Sequence, residues 1–395
     1  MQEDFHYYAT YCAAYLAGFT HEESLDICYS AQFVDLCSRT LLLKIGAPQN
    51  AATTQLQLEM MDASTDVLGL QDITRIWASF HFLPRDLYAE KAKRTKRYMD
   101  RYRLICGPNG ELLKKTVELA KGHGLQHAGI AMHVLADTWA HSNFAGTPTL
   151  VINNTDEHFY EFREASGSKE DCEVKGSVDT CLDSDSEGTW VKVKFRHSPS
   201  EPDDVEKGLY SNSLFQGNEV SIMNLGHGRA GHFPDYSFAK YKYLPAWGDY
   251  HELIKDNPAD YLKAFSQMVY AMKFLKGSIE LFETERYEEE VPEKYGERID
   301  RILRKRQINA CSDWKEFGEE LSGQEIPDFD VEKYQDEYSK AGKGEKDNTF
   351  IGRFIKGALA QKGMVTGEIF KSGNMIAGFS KTIQQGKGLL CFFNK

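Results

Sequence analysis

Through the first 145 residues, apolar positions recur at helical spacing and predict a helical body. Tyr8 to Ala17 is apolar and aromatic, and Gly18-Phe19-Thr20 ends it. Thr20-His-Glu-Glu23 is a capping-box pattern that opens a helix from Glu22 to about Arg39. A Gln/Ala-rich loop follows over 47–56, then a basic helix from Tyr88 to Leu104 and another helix from Gly110 to His123. The next, Leu125 to Phe144, stops at Gly146 and Pro148. Beyond Thr147 the period shortens. Thr149–Asn153, Phe159–Phe162 and Trp190–Phe195 read as short strands around a polar, acidic loop from Ser166 to Glu187. A long helix resumes with Asn257 as its cap and Pro258 in its first turn. Residues 285–345 are highly charged and read as peripheral helices. The pattern divides the chain into a first helical part (1–146), a small β insertion with an acidic loop (147–205), a second helical part (206–345) and a C-terminal tail (346–395).

The tail has a distinct composition. After Asn348 it carries seven Lys/Arg against the single acid Glu368. Its apolar residues fall at helical spacing: Phe350, Ile351, Phe354, Ile355, Ile369, Phe370, Met375, Ile376 and Phe379. Frequent glycines weaken a free helix in water. Such a segment suits a membrane interface, with those nine residues as the contact face; the alternative is a tail packed on the acidic body.

Composition narrows the field. With 395 residues and 12% aromatics the chain can bury a large core. A net charge of -12 disfavours a stable nucleic-acid partner. The start Met1-Gln-Glu-Asp4 is acidic where a secretory signal is basic, and no apolar run spans a bilayer. The expectation is a cytoplasmic protein, peripheral on the inner face of the membrane. The eight cysteines contain no Cys-x-x-Cys pair and read mostly as buried thiols. Cys172 and Cys181 flank the acidic loop and would pair only under oxidising conditions.

The chemistry concentrates in His133-Val-Leu-Ala-Asp137-Thr-Trp-Ala-His141. The positions i, i+4 and i+8 step along one helix face. His133 and His141 lie about 12 Å apart along the axis, too far to share an ion easily. Asp137 could share one metal with His133 and a second with His141. A carboxylate bridging two or more metals is a phosphoester-cleaving arrangement. Further histidines stand in distinctive contexts: Asp4-Phe-His6, Phe80-His81-Phe-Leu-Pro84, and Gly226-His227-Gly228 followed by Gly231-His232-Phe-Pro-Asp235.

These motifs resemble the zinc-dependent phospholipase C family and the related fungal single-strand nucleases, and also an uncharacterised group of bacterial proteins with an Asp-x-His start and a Trp-Ala-His helix. The similarity runs over roughly residues 1–235 by scattered motifs. It implies a mainly α, phospholipase C-like core holding two or three Zn2+ ions. It implies metal ligands at His6, Asp35, His81, His133 and Asp137, with His141, His227, His232 and Asp235 completing the set. That family also uses a free α-amino group. Asp35, Glu3 or Asp4 would orient the attacking water. Asp137 and His141 are separated by three residues without a proline, where the family has five with one. The implied function is a phosphodiester hydrolase cleaving membrane phospholipid, with the lipid surface as partner. A nuclease or nucleotidase on the same metals, and a non-enzymatic membrane-active effector working through the tail, are the competing readings.

Overall fold

The computed structural model describes residues 1–377 apart from 65–66, 156–157, 165–180, 185–187, 194, 197–208, 211–218, 250, 288–290 and 292. Most of the acidic loop, Cys172 and Phe379 therefore lie outside the described residues.

The protein is mainly helical, with one small antiparallel sheet and a two-stranded pair. A π-helical turn, Asp4–Ala9, runs into α1 (Thr10–Leu16). Next come α2 (His21–Phe33), α3 (Arg39–Lys44), α4 (Gln57–Ala63), α5 (Val67–Phe80), α6 (Lys96–Tyr102) and α7 (Glu111–Ala120). Helix α8 (Leu125–Ala140) is central, with α2, α5, α7, α10 (Asn257–Lys276) and α14 (Phe350–Lys371) packed around it. The remaining helices are α9 (Leu150–Asn153), α11 (Glu293–Arg304), α12 (Cys311–Ser322) and α13 (Gln335–Lys340).

Helix α8 is buried on every side from Ala128 to Ala140, so its polar residues had to be placed against partners. Gly129 permits its close contact with α2. A Cβ there would lie 2.3 Å from the Ile27 carbonyl oxygen. The capping box at Thr20 and Glu23 forms as the spacing predicts. Helix α2 nevertheless stops at Phe33, short of Arg39, and Asp35 sits in the turn beyond it.

The β layer is wider than the 147–205 segment suggests. Its order is β2 (Cys181–Ser184), β3 (Gly188–Lys192), β1 (Phe159–Glu164), β6 (Lys240–Tyr243) and β7 (Leu253–Asp256), all antiparallel. Two strands thus come from the second helical part. Short strands β4 (Phe195–Arg196) and β5 (Leu209–Tyr210) pair separately and in parallel. The predicted strand at 149–153 is instead α9. Its Asn153 side chain holds the main chain of Ala145, Thr147 and Asn224, which bends the segment into a clamp between loops. At the start of α10, Asp256 is the cap. Asn257 instead donates to the carbonyls of Phe233 and Tyr236, at 2.8 Å each, and fixes the Asp235 loop.

The tail expectation needs correction. Phe350, Ile351, Phe354, Ile355 and Ile369 are buried in the core. Phe350 stacks on Tyr334 at 4.0 Å, and Phe354 meets Phe33 edge-on at 4.9 Å. Gly357 lets α14 approach α8, since a Cβ there would lie 2.8 Å from Ile130. A side chain committed to this packing is not free to enter a bilayer. Phe370 and Met375 are exposed and Ile376 is half-buried. No described helix is long and apolar enough to cross a membrane.

Candidate metal centre

Four regions of the chain converge on the carboxylate of Asp137, which is 1% exposed. The π-helical turn brings His6, whose Nε2 lies 3.2 Å from Asp137 Oδ1. Such wide turns recur at functional sites because they re-aim side chains. The loop after α5 brings His81, with Nδ1 3.3 Å from Asp137 Oδ2. Helix α8 supplies His133, whose Nε2 lies 3.2 Å from the same oxygen. The Met1 α-amino group donates to Asp137 Oδ1 at 2.7 Å and lies 3.3 Å from Asp235 Oδ1. Asp35 stands at the rim, 29% exposed, with Oδ1 3.7 Å from His81 Nδ1 and 3.9 Å from His133 Nε2.

A further part is built around Asp235. His141 Nε2 lies 3.0 Å from Asp235 Oδ1, and His227 Nε2 lies 3.6 Å from it. Gly226 shapes this loop at φ +54°, where a Cβ would strike the Phe82 ring. Phe82 stacks on His141 at 4.7 Å and holds that ring in place.

Three sets of donors result, the first two sharing His133: His6/His133/Asp137, Asp35/His81/His133 and His141/His227/Asp235. Each set has its ligand atoms within 4.8 Å of one another. The sharing of Asp137 differs from the helical expectation. His141 is the C-cap of α8 and has left the helical path, so its Nε2 meets Asp235. Asp137 keeps a 3.5 Å approach to His141 Nδ1, and its nearer ring neighbours are His6, His81 and His133.

The hydrogen bonds behind the rings test whether a metal fits. His81 Nε2 donates to Thr53 O (3.0 Å), His133 Nδ1 to Ala31 O (2.9 Å), His141 Nδ1 to His81 O (2.7 Å) and His227 Nδ1 to Gly231 O (2.8 Å). A carbonyl accepts only, so it assigns the N–H to that nitrogen and leaves the other as a lone pair in the neutral ring. Those lone pairs face carboxylate oxygens and one another, with His133 Nε2 and His81 Nδ1 3.2 Å apart, while His141 Nε2 also has the Met1 amine 3.1 Å away. Acceptor facing acceptor is repulsive until a proton or a metal cation lies between. Orientation of ligand imidazoles by main-chain carbonyls is a usual support for a metal site. Neither ring nitrogen of the buried His6 has a well-formed hydrogen bond, as expected of a donor awaiting a cation. The residues fit zinc: nitrogen and oxygen donors, buried, in small sets.

Electrostatics agree with that fit. Burial alone would keep Asp137 protonated, but His141, the Met1 amine, His133 and His6 hold its carboxyl well below the usual range. Asp235 is likewise held down against burial, by His227 and the Met1 amine. Burial, reinforced by His133, pushes His6 down to about 4. His227 is also lowered to about 4, chiefly by burial. For the Met1 amine, burial favours the neutral form, but Asp137, Asp235 and Asp35 outweigh it and raise it to about 11.

Three expected residues fall outside the sets. Glu3 is exposed and lies near Asp4 and Asp328. Asp4 is buried with its oxygens accepting the amides of Phe5 and Ala310, 2.8 Å each, so it ties the π-helical turn to the start of α12 rather than orienting water. Burial raises its carboxyl to about 6. His232 is half exposed; its Nδ1 lies 3.5 Å from Asp235 Oδ2 on the outer side. The supporting groups, Thr53 and Ala31 carbonyls and the rings of Trp77 and Phe82, carry no signal in sequence, because main-chain contacts depend on how loops meet.

The model of a family of unknown function, DUF6765, matches residues 1–369. The chain matches none of the curated proteins and none of the solved structures.

Proposed function

The chain belongs to the DUF6765 family, whose function is unknown, and from the geometry of its centre we propose that it is a zinc-dependent phosphodiester hydrolase. The observation that carries this reading is the set of four carbonyl-oriented imidazoles aiming lone pairs at Asp35, Asp137 and Asp235. Two or three zinc ions bound there would supply Lewis-acid activation of water and offset the charge that grows on the phosphoryl oxygens. The residues do the rest. His133 is common to two donor sets, and Asp137, a member of one, lies 3.3 Å from His81 of the other. His141, His227 and Asp235 hold the third. Asp35, the most open carboxylate of the three sets, reaches solvent and can take the proton of an incoming water. The resemblance to zinc phospholipases supports a phospholipid substrate. The buried face of α14 lends that choice no support, so the substrate rests on the resemblance alone.

The test is metal analysis joined to a release assay. Purified protein should carry about two to three zinc equivalents and release phosphorylated headgroup from detergent-dispersed phospholipid. Asp137→Asn should stay helical, lose metal from the His6/His133/Asp137 set and lose activity by at least about a hundredfold. Release from single-stranded DNA instead of lipid would move the substrate to nucleic acid and keep the chemistry. Full hydrolysis by metal-free protein would sink the proposal.

A further inference from the structure

The metal centre uses no residue of α14, yet α14 buries two polar side chains in sequence. Gln361 is 2% exposed and Lys362 is 5% exposed. Among the described residues Lys362 makes no ion pair. Its Nζ donates to Asn50 O at 2.7 Å and Ala52 O at 2.6 Å. The next residue, Thr53, is a junction. Its amide donates to Cys37 O at 2.9 Å, its hydroxyl to Val34 O at 2.6 Å, and its carbonyl accepts His81 Nε2 at 3.0 Å. Gln361 acts on the other side of the same histidine. Its Nε2 donates to Ser79 O at 3.1 Å and to Thr116 Oγ1 at 3.0 Å.

We propose that Lys362, assisted by Gln361, is a positioning residue that sets the Asp35/His81/His133 donor set through the Thr53 carbonyl. The proposal rests on the metal reading of the centre given above. The chain of contacts is short. Lys362 fixes the main chain at 50–52, Thr53 follows directly, and its carbonyl decides which nitrogen of His81 faces Asp137. Thr53 also grips the end of α2 at Val34, the residue before Asp35. Two members of one donor set thus depend on one loop, and that loop depends on α14. The His141/His227/Asp235 set is held mainly by the Gly231 carbonyl, the Asn257 clamp and the Phe82 ring, and touches the His81 segment only through that residue's main-chain carbonyl, which accepts His141 Nδ1 at 2.7 Å.

A cation buried without a carboxylate is an expensive way to fill space. Burial, then the nearby Arg75 and Arg39 against the opposing Cys37, brings Lys362 down to about 7. The neutral amine retains two N–H donors, so both carbonyls stay bound in either protonation state. A flexible four-carbon stem carrying several donors suits this task, where a shorter amide would not span it.

The experiment is a zinc titration of the full chain, with cobalt substitution as a spectroscopic readout, on wild type, Lys362→Met, Gln361→Met and the control Lys356→Met. Lys356 is on the same helix, exposed, and paired with Asp347 at 3.0 Å. In folded Lys362→Met, one class of site should weaken about 10–100-fold while the others keep wild-type affinity, as losses of supporting contacts do. The cobalt absorption of that class should change, and Lys356→Met should match wild type. Equal affinity at every site in folded Lys362→Met overturns the proposal. So does a uniform loss at all sites that follows the drop in melting temperature, which would make the lysine merely structural. If Lys362→Met does not fold, Gln361→Met decides by the same comparison, since it frees Ser79 and leaves the lysine in place. Wild-type protein that binds no zinc defeats the metal reading itself, and the proposal with it.

Discussion

Helices α8 and α14 pack against each other, and both bury charged side chains, but they treat them in opposite ways. On α14, Lys362 meets two carbonyls and Gln361 meets a carbonyl and a hydroxyl, so the donors named are matched by acceptors. On α8, His133 and Asp137 turn acceptors toward acceptors, with His133 Nε2 3.2 Å from Asp137 Oδ2. A matched buried network is complete without a ligand and stiffens what it touches. A mismatched one is costly unless something positive enters it. The same burial thus favours a supporting role for Gln361 and Lys362 of α14 and makes His133 and Asp137 of α8 part of the candidate site.

The comparison breaks most visibly if α14 is removed. Phe350, Ile351, Phe354, Ile355 and Ile369 each bury a full side chain. At about 2 kcal/mol apiece their loss is comparable to the whole stability of a domain, about 5–15 kcal/mol. A chain ending at Asn348 should therefore lose its cooperative melting transition and aggregate. Circular dichroism and light scattering would show it. A truncated protein that melts cooperatively and keeps its zinc while losing only vesicle binding would restore the interfacial reading of this segment.

That segment also shows where sequence runs out. An amphipathic stripe of Phe and Ile with lysines beside it is the pattern of an interfacial helix and of a core helix alike. What separates them is the surface opposite, here α8, α5 and α7, which no local pattern reveals. The glycines read as helix weakeners, yet Gly357 is where α14 approaches Ile130. The α8 part of the site was more legible, because His133 and Asp137 lie one turn apart and helix geometry fixes their relation. His6 and His81 stood out by their neighbours in the chain, but their meeting with Asp35 and His133 came only through resemblance, since 126 residues separate His6 from His133. Their meeting depends on tertiary packing. His141 lies 3.5 Å from Asp137 as the i, i+4 spacing suggests, but that nitrogen donates to His81 O while Nε2 meets Asp235, a contact the spacing could not show.

The contact between α2 and α8 offers a sharper test. Gly129→Ala puts a Cβ 2.3 Å from Ile27 O and 2.5 Å from Ser30 Cβ, and main chain cannot yield as a side-chain end does. The helices must separate, which draws Ala31 O away from His133 Nδ1. We expect about 2–4 kcal/mol of destabilisation, in the range for a core overpacking change. Zinc should weaken in the two sets that share His133 and hold in the His141 set. An unchanged melting curve would show that the helices have room to part.

The smallest effect concerns the charge on Lys362 itself. Its folded value is about 7, against an ordinary lysine near 10.5. Between those values the unfolded chain binds a proton that the folded chain lacks, so this lysine makes stability rise with pH from about 7 upward. The slope can reach about 1.4 kcal/mol per pH unit for one group. Burial is the main cause, with Arg75 on α5 and Arg39 on α3 adding to it. The Met1 amine works the other way. Its folded value of about 11 exceeds its ordinary 8.0, so it makes stability fall as pH climbs above about 8. The two are separated by difference. Subtracting the stability of Lys362→Met from that of wild type, over pH 7 to 8.5, removes the amine and leaves the lysine. The difference should move in favour of wild type by about 1–2 kcal/mol across that window, followed by urea unfolding. A flat difference would mean that the lysine keeps its proton in the folded protein. The α14 network would then hold a permanent buried cation, met by two carbonyls and by the Phe80 ring at 5.9 Å, and its contrast with α8 would rest on matched donors rather than on the loss of charge.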